Sequence, residues 1–265
     1  MPLTLTPLQT IPLIRRDDNL ADIVVNSLKE TNVQLEDNDI LVFAQKVISK
    51  AEGRTVNLAT VTPSQRAIEL AEQTQKDARV IELILQESNE VLRVRVGAII
   101  VEHKLGFVCA NAGIDHSNVN PEQTSEGLRD FGSLNNEDWV LLLPQDPDLS
   151  SRKMRDAIQS KTGKRVGILI IDSHGRAWRN GTVGIAIGIS GLPGLEDLRG
   201  KPDLFGYTLQ VTQVGVADEL AAAASLVMGQ AAEGTPIVHV RGFPYPLREG
   251  SLKELIRPKE QDLFR

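Results

Sequence analysis

"EVLRVRVGAIIVEHKLGFVCANAGIDHSNV", residues 90–119, is the stretch whose reading decides the fold. Leu92, Val94 and Val96 alternate with Arg93 and Arg95, the period-two pattern of a strand with one buried face. Lys104-Leu105-Gly106 supplies a turn, and Val108-Cys109-Ala110 returns as a second apolar run, so the segment reads as a hairpin. Hairpins interspersed with helices point to an α+β fold with mixed sheets rather than to a doubly wound parallel sheet. The stretch ends on an acid, Asp115, among Gly113, Ser117 and Asn118. Two readings of that carboxylate compete: a capping residue in a turn, or an oxygen ligand for a metal that holds a phosphate.

Working outward, Leu3–Leu8 reads as a first strand, and "IPLIRRDD" (11–18) as an extended turn, because Pro12 restricts Ile11 and has no N–H to donate. Leu20, Ile23, Val24, Ser27 and Leu28 fall at helical spacing behind Asp18 or Asn19 as N-cap. "DILVFAQKVIS" (39–49) is rich in β-branched residues and is read as one buried strand. Ser64–Gln75 and Asp77–Gln86 read as helices, and the polar run Asn120–Asp138 as an exposed connection placed to cover a site. "VLLLP" (140–144) is expected to return to the sheet. "DPDLSSRKMRDAIQSKTG" (146–163) has a capping acid and a glycine stop around a helix that feeds the strand "RVGILIIDS" (165–173). "RNGTVGIAIGISG" (179–191) is a further strand or loop, Ala217–Met228 a helix, and "GTPIVHVRGF" (234–243) a last strand. With no clean linker, residues 1–265 are expected to form one domain, its two subdomains interlocking.

At 265 residues and 41% hydrophobic content the chain can bury a substantial core. A formal charge of −6 argues against broad attraction to nucleic acid, so an anionic ligand must be met locally by a few cations, backbone N–H groups or bound metal. A single cysteine, Cys109, excludes an intrachain disulfide and a cysteine-rich zinc site, and with no targeting pattern or membrane-length apolar window the expected location is cytoplasmic.

Three acidic positions stand out: Asp115, Asp172 at the end of "GILIIDS", and Asp218-Glu219, the last read as first-turn helix acids favoured by the macrodipole. A carboxylate after a strand with a hydroxyl beside it can coordinate a hard cation, although the same pattern commonly serves as a cap. Lys50, Arg176 and Arg179 are candidates for phosphate or carboxylate oxygens against the plainer reading of solvated charges, and Trp178, between two arginines, either stacks on one of them or fills core, with core the preferred reading. His103, His116, His174 and His239 show no pairing on one helix face, which disfavours a zinc hydrolase; His116 and His174 each stand beside a candidate ligand acid and could assist it, but are read first as hydrogen-bonded loop histidines. No P-loop, no Rossmann fingerprint in register and no nucleophile elbow occurs, so a nucleotide would need some other cradle.

Taken in order, "IPLI", "QKVISKAEGR" (45–54), "AGIDHSNV" (112–119), "DSHGRAWRNGTVGIAIGISG" (172–191), "VADELAAAASLVMGQ" (216–230) and "VRGF" (240–243) resemble the coenzyme F420-0:L-glutamate ligase family over nearly the whole chain. The resemblance implies a GTP-dependent ligase that joins L-glutamate to a phospholactyl-deazaflavin acceptor and releases GDP and phosphate. It also implies an intertwined α+β homodimer, Mg²⁺ or Mn²⁺ at the nucleotide phosphates, and a monovalent cation such as K⁺. Carried over residue by residue, the nucleotide contacts fall on Ile11, Pro12, Leu13, Ile14, Gln45, Lys50 and Asn118, with Met228, Gly229 and Gln230 beside the guanine nucleotide. The metal ligands fall on Asp115, Asp172, Ser173 and Gln230, and the catalytic set on Asp115, Asp172 and Lys50. Gln45 stands where relatives often have Ser, Ser173 where they commonly have Thr, and the 120–138 connection is longer than the family's. The same chemistry on a folate-like pterin, and a non-catalytic nucleotide or deazaflavin binding module, are the alternatives.

Overall fold

The computed structural model describes residues 2–119 and 139–263. The elements of the first half are β1 (Thr4–Pro7), α1 (Leu20–Glu30), β2 (Ile40–Ala44), α2 (Gln45–Ala51), β3 (Thr55–Asn57), α3 (Gln65–Thr74), α4 (Ala78–Gln86), β4 (Ser88–Arg95), β5 (Ala98–His103) and β6 (Val108–Ala110). After the connection at 120–138, which lies outside the described residues, come β7 (Trp139–Leu141), α5 (Pro147–Thr162), β8 (Gly167–Arg176), β9 (Arg179–Ser190), β10 (Glu196–Asp197), β11 (Gln213–Val214), α6 (Val216–Met228) and β12 (Ile237–Arg241). The architecture is α+β with mixed sheets, as expected. The chain divides into two compact units, one built from residues 2–13, 19–47 and 145–263, the other from 14–18, 48–119 and 139–144.

The first unit holds a five-stranded sheet in the order β1-β12-β2-β8-β9. Only β2 and β8 run parallel; the other neighbours are antiparallel. The continuous apolar runs Ile40–Phe43 and Ile168–Ile171 explain why these two strands are buried at the centre of the sheet. Helix α6 packs on one face, where Ala217, Leu220, Ala221 and Ala224 meet Val42, Leu169, Ile171 and Ala186. Helix α5 starts where expected: Asp146 accepts the Leu149 N–H at 2.9 Å, Pro147 occupies the first turn, and Gly163 ends the helix at φ +71°.

"DILVFAQKVIS" is two elements rather than one. The strand ends at Ala44 and helix α2 begins at Gln45, with Val47 and Ile48 buried and Lys46 and Lys50 less so. β-Branched residues suggested a strand, but adjacent apolar positions flanked by lysines also fit one stripe of a short helix, and packing decides.

The second unit has a β4-β5-β6 antiparallel sheet, whose turn after His103 closes with the His103 N–H donating to Phe107 O at 2.9 Å and Gly106 at φ +95°. Helices α3 and α4 contribute Ala67, Leu70, Ile81 and Ile84 to a core shared with Ile99, Val101, Cys109 and Val140. The expected return of "VLLLP" to the main sheet does not occur: β7 pairs with β3, Val140 opposite Val56. Three residues give too short a ladder to reveal a partner by pattern alone. No helix of the described residues is long and apolar enough to cross a membrane.

One buried charge cluster braces the first unit. Asp39, 2% exposed in its side chain, accepts from Arg241 Nε at 2.9 Å and Nη2 at 2.7 Å, and Arg241 also pairs with Glu36 at 2.8 Å. His239 Nε2 stands 2.8 Å from Asp39 Oδ2. Burial alone would raise the Asp39 carboxyl; the Arg241, His239 and Glu36 groups overcome it and hold it far below the ordinary range. A depressed carboxyl contributes stability that is present above the unfolded value near pH 4 and is lost as pH falls through the folded one. Asp39→Asn is therefore expected to lower the unfolding free energy by about 3 kcal/mol at pH 7, with the gap to wild type narrowing between about pH 5 and pH 3 in urea titrations. A gap that stays constant over that range would contradict the assignment.

Candidate functional site

Strands β8 and β9 form a long hairpin in which Asp172 sits opposite Ile185, Ser173 opposite Gly184 and His174 opposite Val183. The sequence placed Asp172 at a strand end; the strand in fact continues four residues past it, to Arg176. Strand alternation sends Asp172 and His174 to one face and Ser173 to the other. On the first face, His174 Nε2 lies 2.9 Å from Asp172 Oδ2, and both side chains are at least nine-tenths covered. On the other, Ser173 Oγ donates to Gln230 Oε1 at 2.7 Å, while Gln230 Nε2 donates to Ser225 Oγ at 2.8 Å.

This hydroxyl–amide–hydroxyl chain exists because α6 lies unusually close to β9. A Cβ on Gly184 would stand 2.6 Å from the Ala221 carbonyl oxygen and 2.6 Å from Ser225 Cβ, so only glycine lets the helix approach. At the helix end Gly229 takes φ +76°, ψ 179°, a region open essentially to glycine alone, and the chain turns so that Gln230 reaches Ser173. Glu233 accepts the Ala231 N–H at 2.8 Å and Thr235 donates to Met228 O at 3.1 Å, fixing that turn. Asp218 on α6 accepts the Ala186 N–H at 2.9 Å, and its carboxyl is pushed up by burial. It works as a brace between helix and strand rather than as a simple first-turn acid.

The remaining residues named from the sequence divide between the units. Ile11, Pro12, Leu13 and Gln45 belong to the first; Leu13 is 67% exposed and Gln45 buried. Ile14, Lys50, Asp115 and Asn118 belong to the second. Asp115 is held by its backbone, which exchanges both hydrogen bonds with Leu141 at 3.0 and 2.9 Å, so it is a bridge residue and not a free-standing turn. Just before it, Asn111, Ala112 and Gly113 all adopt φ above +50°, costly for alanine, and Gly113 faces Leu143 too closely for a side chain. Asn118 is also left-handed, at φ +57°.

Sequence reasoning missed three contributors. His174 read as a loop histidine but is a strand residue 7% exposed; Ser225 hid in an alanine-rich helix; Gly184 was one glycine among several. The spacing that could have found Ser225 is its position five residues before Gln230 across a helix-stopping glycine. Trp178 was assigned to core and is 88% exposed, because it sits at the turn of the hairpin rather than within a strand.

A family model for F420-0:γ-glutamyl ligase matches residues 9–242. The chain belongs to this family. It is 44% identical over its full length, and over the full length of the relative, to the coenzyme F420:L-glutamate ligase of Methanothermobacter thermautotrophicus. The enzyme of the same name from Methanocaldococcus jannaschii is 47% identical, with 87% of this chain and 86% of the relative covered. That of Archaeoglobus fulgidus is 44% identical, covering 98% and 95% respectively. As a member of this ligase family, the protein is an amide-bond-forming enzyme.

Among the described residues no three His, Cys, Asp or Glu side chains gather as a metal cage. The donors present are instead the Ser173 hydroxyl and the Gln230 amide oxygen on one face of β8 and the Asp172 carboxylate on the other, all hard oxygens of the kind Mg²⁺ and Mn²⁺ accept. Gly184→Ala should force α6 away from β9, lower stability by about 1–3 kcal/mol and loosen the Ser173–Gln230 contact. Thermal unfolding checks this; an unchanged Tm would show that the helix contact is not as tight as the geometry indicates.

Proposed function

We propose that the chain is a GTP- and divalent-metal-dependent ligase that adds L-glutamate to the terminal carboxylate of coenzyme F420-0 through an acyl phosphate. The observation that carries the reading is the hydrogen-bonded chain that ties Ser173 of the hairpin, the neighbour of Asp172, to Gln230 and Ser225 at the end of α6, in a protein whose close relatives bear the name coenzyme F420:L-glutamate ligase.

A carboxylate is a poor acyl donor, so an oxygen of the acceptor carboxylate first attacks the γ-phosphorus of GTP and GDP leaves. The glutamate amine then attacks the acyl carbon, phosphate leaves and the amine loses a proton. Neither step needs a side-chain nucleophile, in keeping with a chain that has one buried cysteine and no nucleophile elbow. Positioning and charge stabilisation are what remain for the protein to supply. Ser173 and Gln230 on one face of the hairpin, and Asp172 on the other, are the residues that would hold divalent ions, one on each face, which when bound would neutralise charge on the phosphates. Gln230 is oriented for this by Ser225, and Asp172 by His174. For Asp115 and Lys50 we propose the roles that the resemblance implies, a further metal carboxylate and a phosphate-facing cation. Met228 and Gly229 shape the turn beside the nucleotide, and K⁺ is the proposed monovalent activator.

A homodimer is part of the same proposal. Residues 198–212, between β10 and β11, form an arm ordered by its own bonds, among them Gly200 N–H to Leu209 O at 2.8 Å and Asp203 N–H to Tyr207 O at 2.8 Å. Yet the arm shows Leu204 at 97%, Phe205 at 94% and Val211 at 85% exposure, apolar side chains that a second copy would cover. Light scattering should give twice the chain mass, falling to one in Leu204→Asp/Phe205→Asp; a monomeric wild type contradicts the dimer.

Incubated with GTP, Mn²⁺, L-glutamate and F420-0, the protein is expected to release GDP and form a glutamylated product, with kcat/KM reduced by about 100-fold or more in Asp172→Asn and Asp115→Asn. Product with a folate-like pterin in place of F420-0 would move the acceptor assignment while keeping the chemistry. No nucleotide cleavage with either acceptor would overturn the ligase proposal for this chain.

A further inference from the structure

We propose that the tip of the β8–β9 hairpin, Arg176, Trp178 and Arg179, recognises the acceptor: the indole stacks on its planar heteroaromatic ring and the guanidinium groups meet the phosphodiester between that ring and the reacting carboxylate. The inference rests on the ligase reading and assigns the residues that select the substrate.

The tip is costly as built. Trp178 is 88% exposed, and its φ of +62° lies in the left-handed region that a bulky side chain disfavours and that Gly, Asn or Asp would fill readily. The turn is closed by other groups as well: Gly181 at φ +82° supplies a second left-handed position, and Arg176 Nη2 donates to Asn180 O at 3.3 Å. A large aromatic face held in water on a short, hydrogen-bonded turn is a stacking platform.

Charge points the same way. The chain carries −6 overall, yet no Asp or Glu occurs from residue 173 to residue 195, so the two arginines, paired across the end of the hairpin, are not balanced by neighbours in sequence. Among the described residues neither guanidinium forms an ion pair with a carboxylate. Arginines flanking an aromatic suit a ligand that joins a flat ring to a phosphodiester, one group for each kind of side chain.

Distance along the strand completes the argument. Asp172 lies four residues before Arg176 and six before Trp178 on the same hairpin. At about 3.3 Å per residue the end of the strand at Arg176 stands roughly 13 Å from the acid, with the turn just beyond it, a span that suits a reacting carboxylate near Asp172 and a ring at the far end of a phosphodiester linker. One rigid hairpin would then hold both ends of the acceptor.

The test uses the whole protein. Steady-state kinetics should show the acceptor KM rising about ten- to hundredfold in Trp178→Ala and about tenfold in the double variant Arg176→Ala/Arg179→Ala, with the KM for GTP unmoved and Trp178→Phe retaining most of the acceptor affinity. The chain has two tryptophans, so in a Trp139→Phe background the emission reports Trp178 alone and should be quenched by F420-0 without nucleotide, and less by a pterin lacking the phosphodiester. An unchanged acceptor KM in Trp178→Ala, or a change in oligomeric mass in place of a KM effect, would overturn the proposal. Should wild type turn over no acceptor, the ligase reading fails; the quenching experiment still decides recognition, saturable quenching supporting it and none refuting it.

Discussion

The contact on which the rest of the site depends is the approach of α6 to β9 at Gly184. A helix seated against a strand with no side chain between them brings Ser225 within reach of Gln230, and Gln230 within reach of Ser173 on the neighbouring strand. The same packing lets Asp218 cap the Ala186 N–H, so helix and hairpin are tied by a carboxylate as well as by van der Waals contact. Alanines at 217, 221 and 224 keep the helix face flat enough for this. Position 184 therefore governs the placement of three polar groups that do not touch it in sequence.

The site solves a charge problem set by composition. On the proposed function, a protein of net charge −6 meets a triphosphate and two carboxylic acids and must supply positive charge locally. It has no P-loop, and the side chains gathered on the hairpin are oxygen donors, not cations. Hard oxygens in small number suit a divalent ion shared with phosphate, and the two arginines lie farther out, at the tip. With Asp172 inward and the two arginines outward along a single hairpin, the proposal places the reacting end of the substrate and its recognition end at different points of one element.

Much of the fold was legible in sequence. The hairpin at 98–110, the helix capped by Asp146 and stopped by Gly163, and the buried runs at 40–43 and 168–171 all follow from period and capping residues. The α2 helix was not, because Val47 and Ile48 serve a helix stripe as well as a strand, and the β3–β7 pair was not, because three-residue ladders carry no pattern. At the site, Asp172, Ser173 and Gln230 were named by resemblance, and the Ser173–Gln230 contact brings two of them together. Ser225 and Gly184 escaped notice, and His174 was placed in a loop, since their roles arise from cross-strand register and helix approach, which a linear reading does not encode. Trp178 was misplaced for a related reason: a large aromatic is normally core, and only its position at a hairpin tip turns it outward.

The central claim is that the β8–β9 hairpin and the end of α6 would hold the nucleotide's divalent ions, one through Ser173 and Gln230 and one through Asp172 on the opposite face of β8. Titration of Mn²⁺ followed by electron paramagnetic resonance, with a non-hydrolysable GTP analogue present, tests it without requiring turnover. Wild type should bind Mn²⁺ with the nucleotide, and Asp172→Asn and Ser173→Ala should each weaken that binding by about tenfold or more. Unaltered Mn²⁺ affinity in both variants would contradict the account.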